Sequence, residues 1–339
     1  MKTWQINRFG IEALELVERP VPRPGPGEVL VRWRAQSLNY RDLVMVQGSY
    51  LPDLPFPYTP LSDAAGEVAA VGEGVTAWKS GDRVIGHYIQ SWLEGPPTPE
   101  NLRLSLGGTM LPGVLSEYST LPENGLVPLP AHLSFEEGST LPIAALTAWN
   151  ALFARGNLPP GSTVVLEGTG GVSLFGLQLA RAAGLRTIIT SSSDEKLARA
   201  RVLGADETIN YRTTPQWSQR VRELTGDRGA DLVLEVGGPA TFSEALRAVG
   251  LDGRIAVIGF LSGSALQLDV IELISRLVTV HAVRVGSRAD FLRLLQALGQ
   301  SRLQPPIDRV FPFTEVPAAF HHLAQAAHFG KIVIRTDGN

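Results

Sequence analysis

Cysteine is missing altogether from the 339 residues of this chain. Its absence excludes a disulfide framework, a thiol nucleophile and a thiolate metal site. Long apolar runs are missing too: no stretch approaches the roughly 20 residues that a membrane-spanning helix needs. Lys2, Arg8, Glu12 and Glu15 interrupt the region where a signal-peptide core would lie. Nor is there an excess of charge of one sign. With a net charge of −3 and 19% charged residues, the chain carries no footprint for nucleic acid or an anionic membrane surface. The expectation is a cytoplasmic globular protein that acts on a small molecule, without a nucleic-acid or membrane partner. A chain of this length, 44% hydrophobic, can bury two separate cores.

The most informative stretch present is Glu167 to Ala180, EGTGGVSLFGLQLA. An apolar, β-like run over Thr163 to Leu166 breaks into clustered glycines and then into a helix-like segment. Gly168 suits a tight turn. Gly170 lets the backbone approach a phosphate with no Cβ in the way, and the helix amino terminus offers free N–H donors. The spacing is G-x-G-x-x-S, with Ser173 at the third position, a near match to the dinucleotide fingerprint. A second strand-like run, Arg186 to Thr190, completes a strand–helix–strand unit. It ends in Ser191, Ser192 and Ser193 where an NAD-selective site would place a carboxylate, and Lys196 and Arg199 follow within two turns. Hydroxyls and a cation suit a 2′-phosphate, so the pattern points to NADP rather than NAD. The same serines also suit the cap of the next helix.

The first 125 or so residues read as β-rich and irregular, with alternating runs over Glu28 to Ala35 and Gly66 to Val71 among frequent prolines and glycines. From Thr147 the pattern changes to short apolar runs alternating with helix-like segments, as in a doubly wound parallel sheet of six strands. A late strand, Lys331 to Ile334, is assigned back to the first part.

Six stretches carry a resemblance that covers nearly the whole chain. They are Gly25 to Asp42 (GPGEVLVRWRAQSLNYRD), Asp63 to Val84, Leu141 to Leu152 (LPIAALTAWNAL), Gly168 to Gly184, Leu203 to Arg212 (LGADETINYR) and His328 to Ile334 (HFGKIVI). The sequence resembles the medium-chain dehydrogenase/reductase superfamily and, within it, the zinc-independent quinone-oxidoreductase-like branch. That resemblance implies an α/β protein with a GroES-like β-barrel catalytic domain, residues 1–146 completed by 285–339. A Rossmann domain with a doubly wound parallel six-stranded sheet, residues 147–284, would lie across the active-site cleft. In zinc-using relatives three positions hold the catalytic metal, and here they correspond to Asn39, Ser62 and Ile143, none a competent zinc ligand. No zinc is therefore expected. A set built from Asp63, His87 and Asn39 would be a poor alternative.

Without a Lewis acid, charge on the acceptor oxygen must be met by hydrogen-bond donors. Asn39 and Tyr40 are the first candidates because their stretch faces the nicotinamide in relatives; each also has an ordinary structural reading, as a turn residue or a packing residue. His87 would fall in the substrate-pocket wall and, titrating near neutrality, would be a candidate proton donor. For the cofactor, resemblance and chemistry together assign the pyrophosphate to Gly168, Gly170, Gly171 and Val172. Ser191, Ser192 and Lys196 take the 2′-phosphate and Tyr211 the adenine edge. Val236, Gly237, Gly259, Phe260, Leu261 and Thr147 take the ribose and nicotinamide. Tyr50, Asp63 and Trp92 are candidates for the substrate pocket, whose aromatic walls suit quinones, enones or bulky carbonyl compounds.

The resulting expectation is a zinc-independent, NADPH-dependent oxidoreductase delivering hydride to an electron-poor C=C or C=O. The alternatives are an alcohol dehydrogenase, with or without zinc, and a non-catalytic NADPH-binding protein. Relatives pair through the edge strand of the nucleotide domain, here Thr279 to Val283, which implies a homodimer.

Overall fold

A computed structural model describes residues 1–336. Two compact units divide it, one formed by Met1–Leu146 with the segment from Ser287 onward, the other by Thr147–Gly286. The chain leaves the second unit two residues later than the expected boundary.

The first unit is built on a seven-stranded mixed sheet. Its centre is the long strand Glu28–Leu38, which pairs along one edge with Asp63–Val71. Two strands share its other edge, Tyr118–Pro122 beside the first half and Lys331–Arg335 beside the second. The carboxy-terminal strand thus completes a sheet begun 300 residues earlier. Alternation in VLVRW sends Val29, Val31 and Trp33 into the core, where they pack with Ile6, Met45, Leu61, Leu115 and Phe320. Each such side chain contributes about 1.5–3 kcal/mol by leaving water.

In the second unit six parallel strands lie in the spatial order Glu207–Asn210, Arg186–Ser191, Thr163–Leu166, Ala230–Glu235, Val249–Val257, Thr279–Ala282. The doubly wound sheet expected from the alternating runs is present. Near-continuous apolar sequence such as TVVL suits these strands because helices cover both faces. Val165, Ile188, Phe242 and Ile255 form part of the core beneath them. The strand order reverses between Thr163–Leu166 and Ala230–Glu235, and ligands of such sheets bind beyond the strands' carboxyl ends at that point.

Candidate functional site

In the second unit the glycine turn forms an open cradle. Gly168 has φ +72°, a conformation that costs an L side chain about 1–2 kcal/mol. Gly170 caps the helix Gly171–Ala182 with φ −83° and ψ −178°. A Cβ built at either glycine meets no atom within 4 Å, so the space above the backbone is free for a ligand. The first helical hydrogen bond runs from Leu174 N–H to Gly170 C=O, which leaves the preceding N–H groups as the helix's free first turn. An anion fits that turn through both its donors and the helix dipole.

Ser173 stands where the fingerprint has its third glycine, and its Oγ donates to Glu167 C=O at 2.6 Å. Gly176 does the close packing instead: an added Cβ there would lie 3.0 Å from Leu166 and 3.2 Å from Leu234. Sequence reading missed this division of labour, although a small residue three positions beyond Ser173 was the available signal.

The end of Arg186–Ser191 adjoins the turn. Gly168 N–H donates to Thr190 Oγ1 at 3.3 Å, Thr169 Oγ1 and Ser191 Oγ stand 3.5 Å apart, and Tyr211 N–H donates to Ser191 C=O at 3.1 Å. Ser193 proves to be the cap of the helix Asp194–Val202, taking the Lys196 N–H at 3.3 Å. Capping therefore falls to Ser193, while Ser191 ends the strand, buried, and Ser192 and the Lys196 side chain are half-buried. Tyr211 is 42% exposed.

Two further loops join at the switch point. Ser262 donates to Gly237 C=O from both N–H (2.9 Å) and Oγ (2.6 Å). A Cβ on Gly259 would lie 2.2 Å from Val236 C=O, so only glycine permits that approach. The segments holding Val236, Gly237, Gly259, Phe260 and Leu261 are thus brought together, whereas Thr147 sits buried in the short helix Leu146–Trp149.

The first unit carries a separate buried polar cluster. Asn39 precedes the helix Tyr40–Val46, and its backbone N–H donates to Asp42 Oδ2 at 2.8 Å. Lys331, buried in the carboxy-terminal strand, donates from Nζ to Leu38 C=O and to Asn39 Oδ1, both at 2.6 Å, with Asp63 Oδ2 at 4.0 Å. Asp63 accepts from Ser62 Oγ at 3.3 Å through Oδ1 and from Ile143 N–H at 3.2 Å through Oδ2. The three positions that match metal ligands in zinc-using relatives therefore all touch one buried Asp–Lys pair. Burial pushes the Asp63 carboxyl up to about 6 against the pull of Lys331, and burial also lowers the Lys331 ammonium. Arg41 pairs with Asp42 at 3.0 Å and reaches Gly107 C=O at 2.7 Å, tying the helix start to a distant loop. Burial nevertheless raises the Asp42 carboxyl.

Three expectations change here. His87 is completely buried, with its ring centroid 6.1 Å from that of Phe291. Burial pulls it down to about 4, so it is neutral at pH 7 and does not titrate near neutrality. Trp92 is buried, and its Nε1 donates to Gly95 C=O at 3.0 Å, which makes it an anchor of its own loop. Asp63 is wholly enclosed by its partners rather than presented by a pocket wall; Tyr50, by contrast, is 46% exposed. Tyr40 is partly buried at the edge of the first unit's core.

Two family models match the chain. Residues 25–131 match the alcohol dehydrogenase GroES-like domain, and residues 171–300 match the zinc-binding dehydrogenase family. A zinc-type alcohol dehydrogenase-like protein of Schizosaccharomyces pombe is 41% identical over 335 residues, spanning 97% of this chain and 96% of that one. The quinone oxidoreductase of Rattus norvegicus is 27% identical, with 98% and 97% covered. Among solved structures, an NAD-dependent alcohol dehydrogenase superposes with TM-score 0.91 at 34% identity, covering 99% of this chain and 100% of that one. A mycobacterial protein in complex with NADPH superposes with TM-score 0.83 at 26% identity, covering 99% of each.

Proposed function

Since the chain belongs to the medium-chain dehydrogenase/reductase superfamily and is an oxidoreductase of that type, we propose that it uses NADPH, without zinc, to reduce an electron-poor C=C or C=O such as a quinone or enone. The single observation that carries this reading is the open glycine cradle beside a strand that ends in the hydroxyls of Ser191 and Ser192, with Lys196 following Asp194 and Glu195 in the first turn of the next helix.

Bound nicotinamide would supply the hydride. The chain's own part begins at the first turn of Gly171–Ala182, whose N–H groups would hold the pyrophosphate, with Gly168 and Gly170 clearing its approach. Ser192 and Lys196 would hold the 2′-phosphate, a charge-assisted contact that NADH cannot make. Tyr211 would cover the adenine, and the joined loops at Val236–Gly237 and Gly259–Leu261 would carry ribose and nicotinamide. Tyr40 carries a phenolic O–H, the kind of donor that an acceptor oxygen gaining negative charge requires, while Asn39, turned toward Lys331, supports that helix start. An ammonium bonded to Asn39 and 4.0 Å from Asp63 is poor chemistry for a zinc site, because a dication would meet a like charge there.

The test is a fluorescence titration with NADPH and NADH, followed by rapid mixing with a simple quinone and a simple enone. Oxidation of bound NADPH supports the reading. Tight binding with no oxidation by any acceptor of the class moves the assignment to a binding protein. The alcohol dehydrogenase reading draws on the names of two relatives, and one equivalent of zinc needed for activity on alcohols would establish it instead.

Gly170→Ala separates the site from the fold. Its backbone angles suit alanine and its added Cβ meets nothing, so the melting temperature should hold or rise slightly. NADPH binding should weaken on the order of tenfold, about 1.4 kcal/mol. Unchanged affinity would show that the dinucleotide lies elsewhere.

We also propose a homodimer through the edge strand Thr279–Ala282. The helix before it, Val270–Arg276, leaves Ile271 79% and Ile274 68% exposed, an apolar surface that a monomer rarely leaves to water. Sedimentation should give twice the chain mass for the native protein and less for Ile274→Glu; a native monomer at all concentrations refutes it.

A further inference from the structure

Two acids that the sequence reading passed over end adjacent strands beneath the cofactor cradle. Leu166 pairs with Leu234 in parallel register, so the next residue on each strand, Glu167 and Glu235, stands beside the other. Both side chains are buried, at 4% and 0% exposure. One oxygen of each is supplied with donors. Glu167 Oε2 accepts from Val236 N–H (3.3 Å) and Gly237 N–H (3.4 Å), and Glu235 Oε1 accepts from Gly238 N–H and Thr241 Oγ1, both at 2.7 Å. The remaining oxygens, Glu167 Oε1 and Glu235 Oε2, are buried and meet no N–H or O–H donor among the described residues. Two lone acceptors side by side are satisfied together only when one of them carries a hydrogen.

Among the described residues, no cation on the flanking elements is placed to relieve a second charge: on the neighbouring strand Val249–Val257, Arg254 lies in register with Leu232, three residues before Glu235, and donates to Gly156 C=O at 2.9 Å. On Gly171–Ala182 the single ionisable residue is Arg181, in the last turn. On Pro239–Ala248, Glu244 and Arg247 pair with each other at 2.5 Å. Thr163–Leu166 has no ionisable residue, Arg186–Ser191 has one only at its far end, and the segments 168–170 and 258–263 have none. Burial and the neighbouring Glu235 carboxylate hold the Glu167 carboxyl well above the ordinary carboxylate range.

We infer that Glu167 and Glu235 share one proton, and that the protonated pair is a positioning device that keeps the loop Val236–Gly238 in the form that receives the dinucleotide. The second half rests on the cofactor reading above; the first does not. Between them the two carboxyls hold the N–H groups of Val236, Gly237 and Gly238. Losing the proton would set two like charges against each other at the root of both the glycine turn and this loop.

Glu167→Gln tests the idea because its amide keeps an acceptor for Val236 and Gly237 and donates to Glu235 without needing a proton. Infrared difference spectra of the full chain at neutral pH, native minus variant, should show a protonated-carboxyl C=O band. Asp42 and Asp63 are common to both proteins and cancel. No band in the difference overturns the shared proton, and Glu235→Gln supplies the same comparison if the first variant folds poorly. NADPH affinity of the native protein should then fall with rising alkalinity by up to about tenfold per pH unit once the proton leaves, the limit for one linked proton. In Glu167→Gln only the fall that Lys196 and Tyr211 cause in both proteins should remain, so the native profile should be the steeper of the two. Identical pH profiles overturn the positioning role. Failure of both proteins to bind dinucleotide at any pH would refute the cofactor reading, while the infrared band still decides the proton.

Discussion

Lys196→Ala is expected to weaken NADPH binding by about tenfold to a hundredfold and leave NADH binding unchanged, since a hydrogen bond to a charged group is worth about 1.5–3 kcal/mol. Lys196 takes part in the helix cap through its backbone N–H, which alanine retains, and Ser193 Oγ is the acceptor in either case. The ammonium therefore acts only through what it can reach from the half-buried side chain at the end of Arg186–Ser191. Titrations of both nucleotides at two salt concentrations check it, because a phosphate contact near the surface also weakens with ionic strength. Equal loss for NADPH and NADH would show that Lys196 supports the helix and does not select the 2′-phosphate.

Lys331→Met should cost the first unit about 3–5 kcal/mol, the usual consequence of leaving a buried charge without its partner. A fall on the order of 10 °C in melting temperature corresponds to that loss. The sign of its pH dependence follows from Asp63. That carboxyl is raised in the folded chain to about 6, so its proton is held more tightly there than in the unfolded chain. The folded state gains fully from that proton in acid and loses the gain as pH rises through about 6. In the native protein Lys331 opposes the loss by stabilising the charged form. In Lys331→Met nothing does, and the deficit should be small near pH 5 and large near pH 8. Adding Asp63→Asn should restore part of the stability at pH 8 by removing the unpaired charge. Thermal unfolding of the three proteins at the two pH values checks this, and a deficit independent of pH would show that Lys331 matters only through its contacts with Leu38 and Asn39.

How far these features were legible depended on whether their determinants lie close along the chain. Thr163–Leu166, the glycine turn and the helix beyond it were readable because apolar runs, glycine and helix periodicity are local signals. The strand Glu207–Asn210 was not picked out by pattern: its residues alternate charged, hydroxyl, apolar and amide, and it lies at the sheet edge, where burial on both faces is not required. The serines after Arg186–Ser191 supported two readings, phosphate contact and helix cap. Hydrogen-bond geometry gave the cap to Ser193 and left Ser191 and Ser192 at the strand end. His87 misled because an unperturbed imidazole titrates near neutrality, and nothing in its local sequence shows that folding will bury it completely.

What the sequence by itself determined is the division into a β-rich part and a doubly wound part, the family, and the position of the glycine turn, each written in short-range patterns. Tertiary structure alone decided the charge states and partnerships. Lys331 meets Asn39 only because the last strand pairs with Glu28–Leu38, and Glu167 meets Glu235 only because strands far apart in sequence align in register. The physical reason is the same in both cases. A side chain's protonation and partners depend on the dielectric and the groups within a few ångströms, and long-range strand pairing brings those groups together.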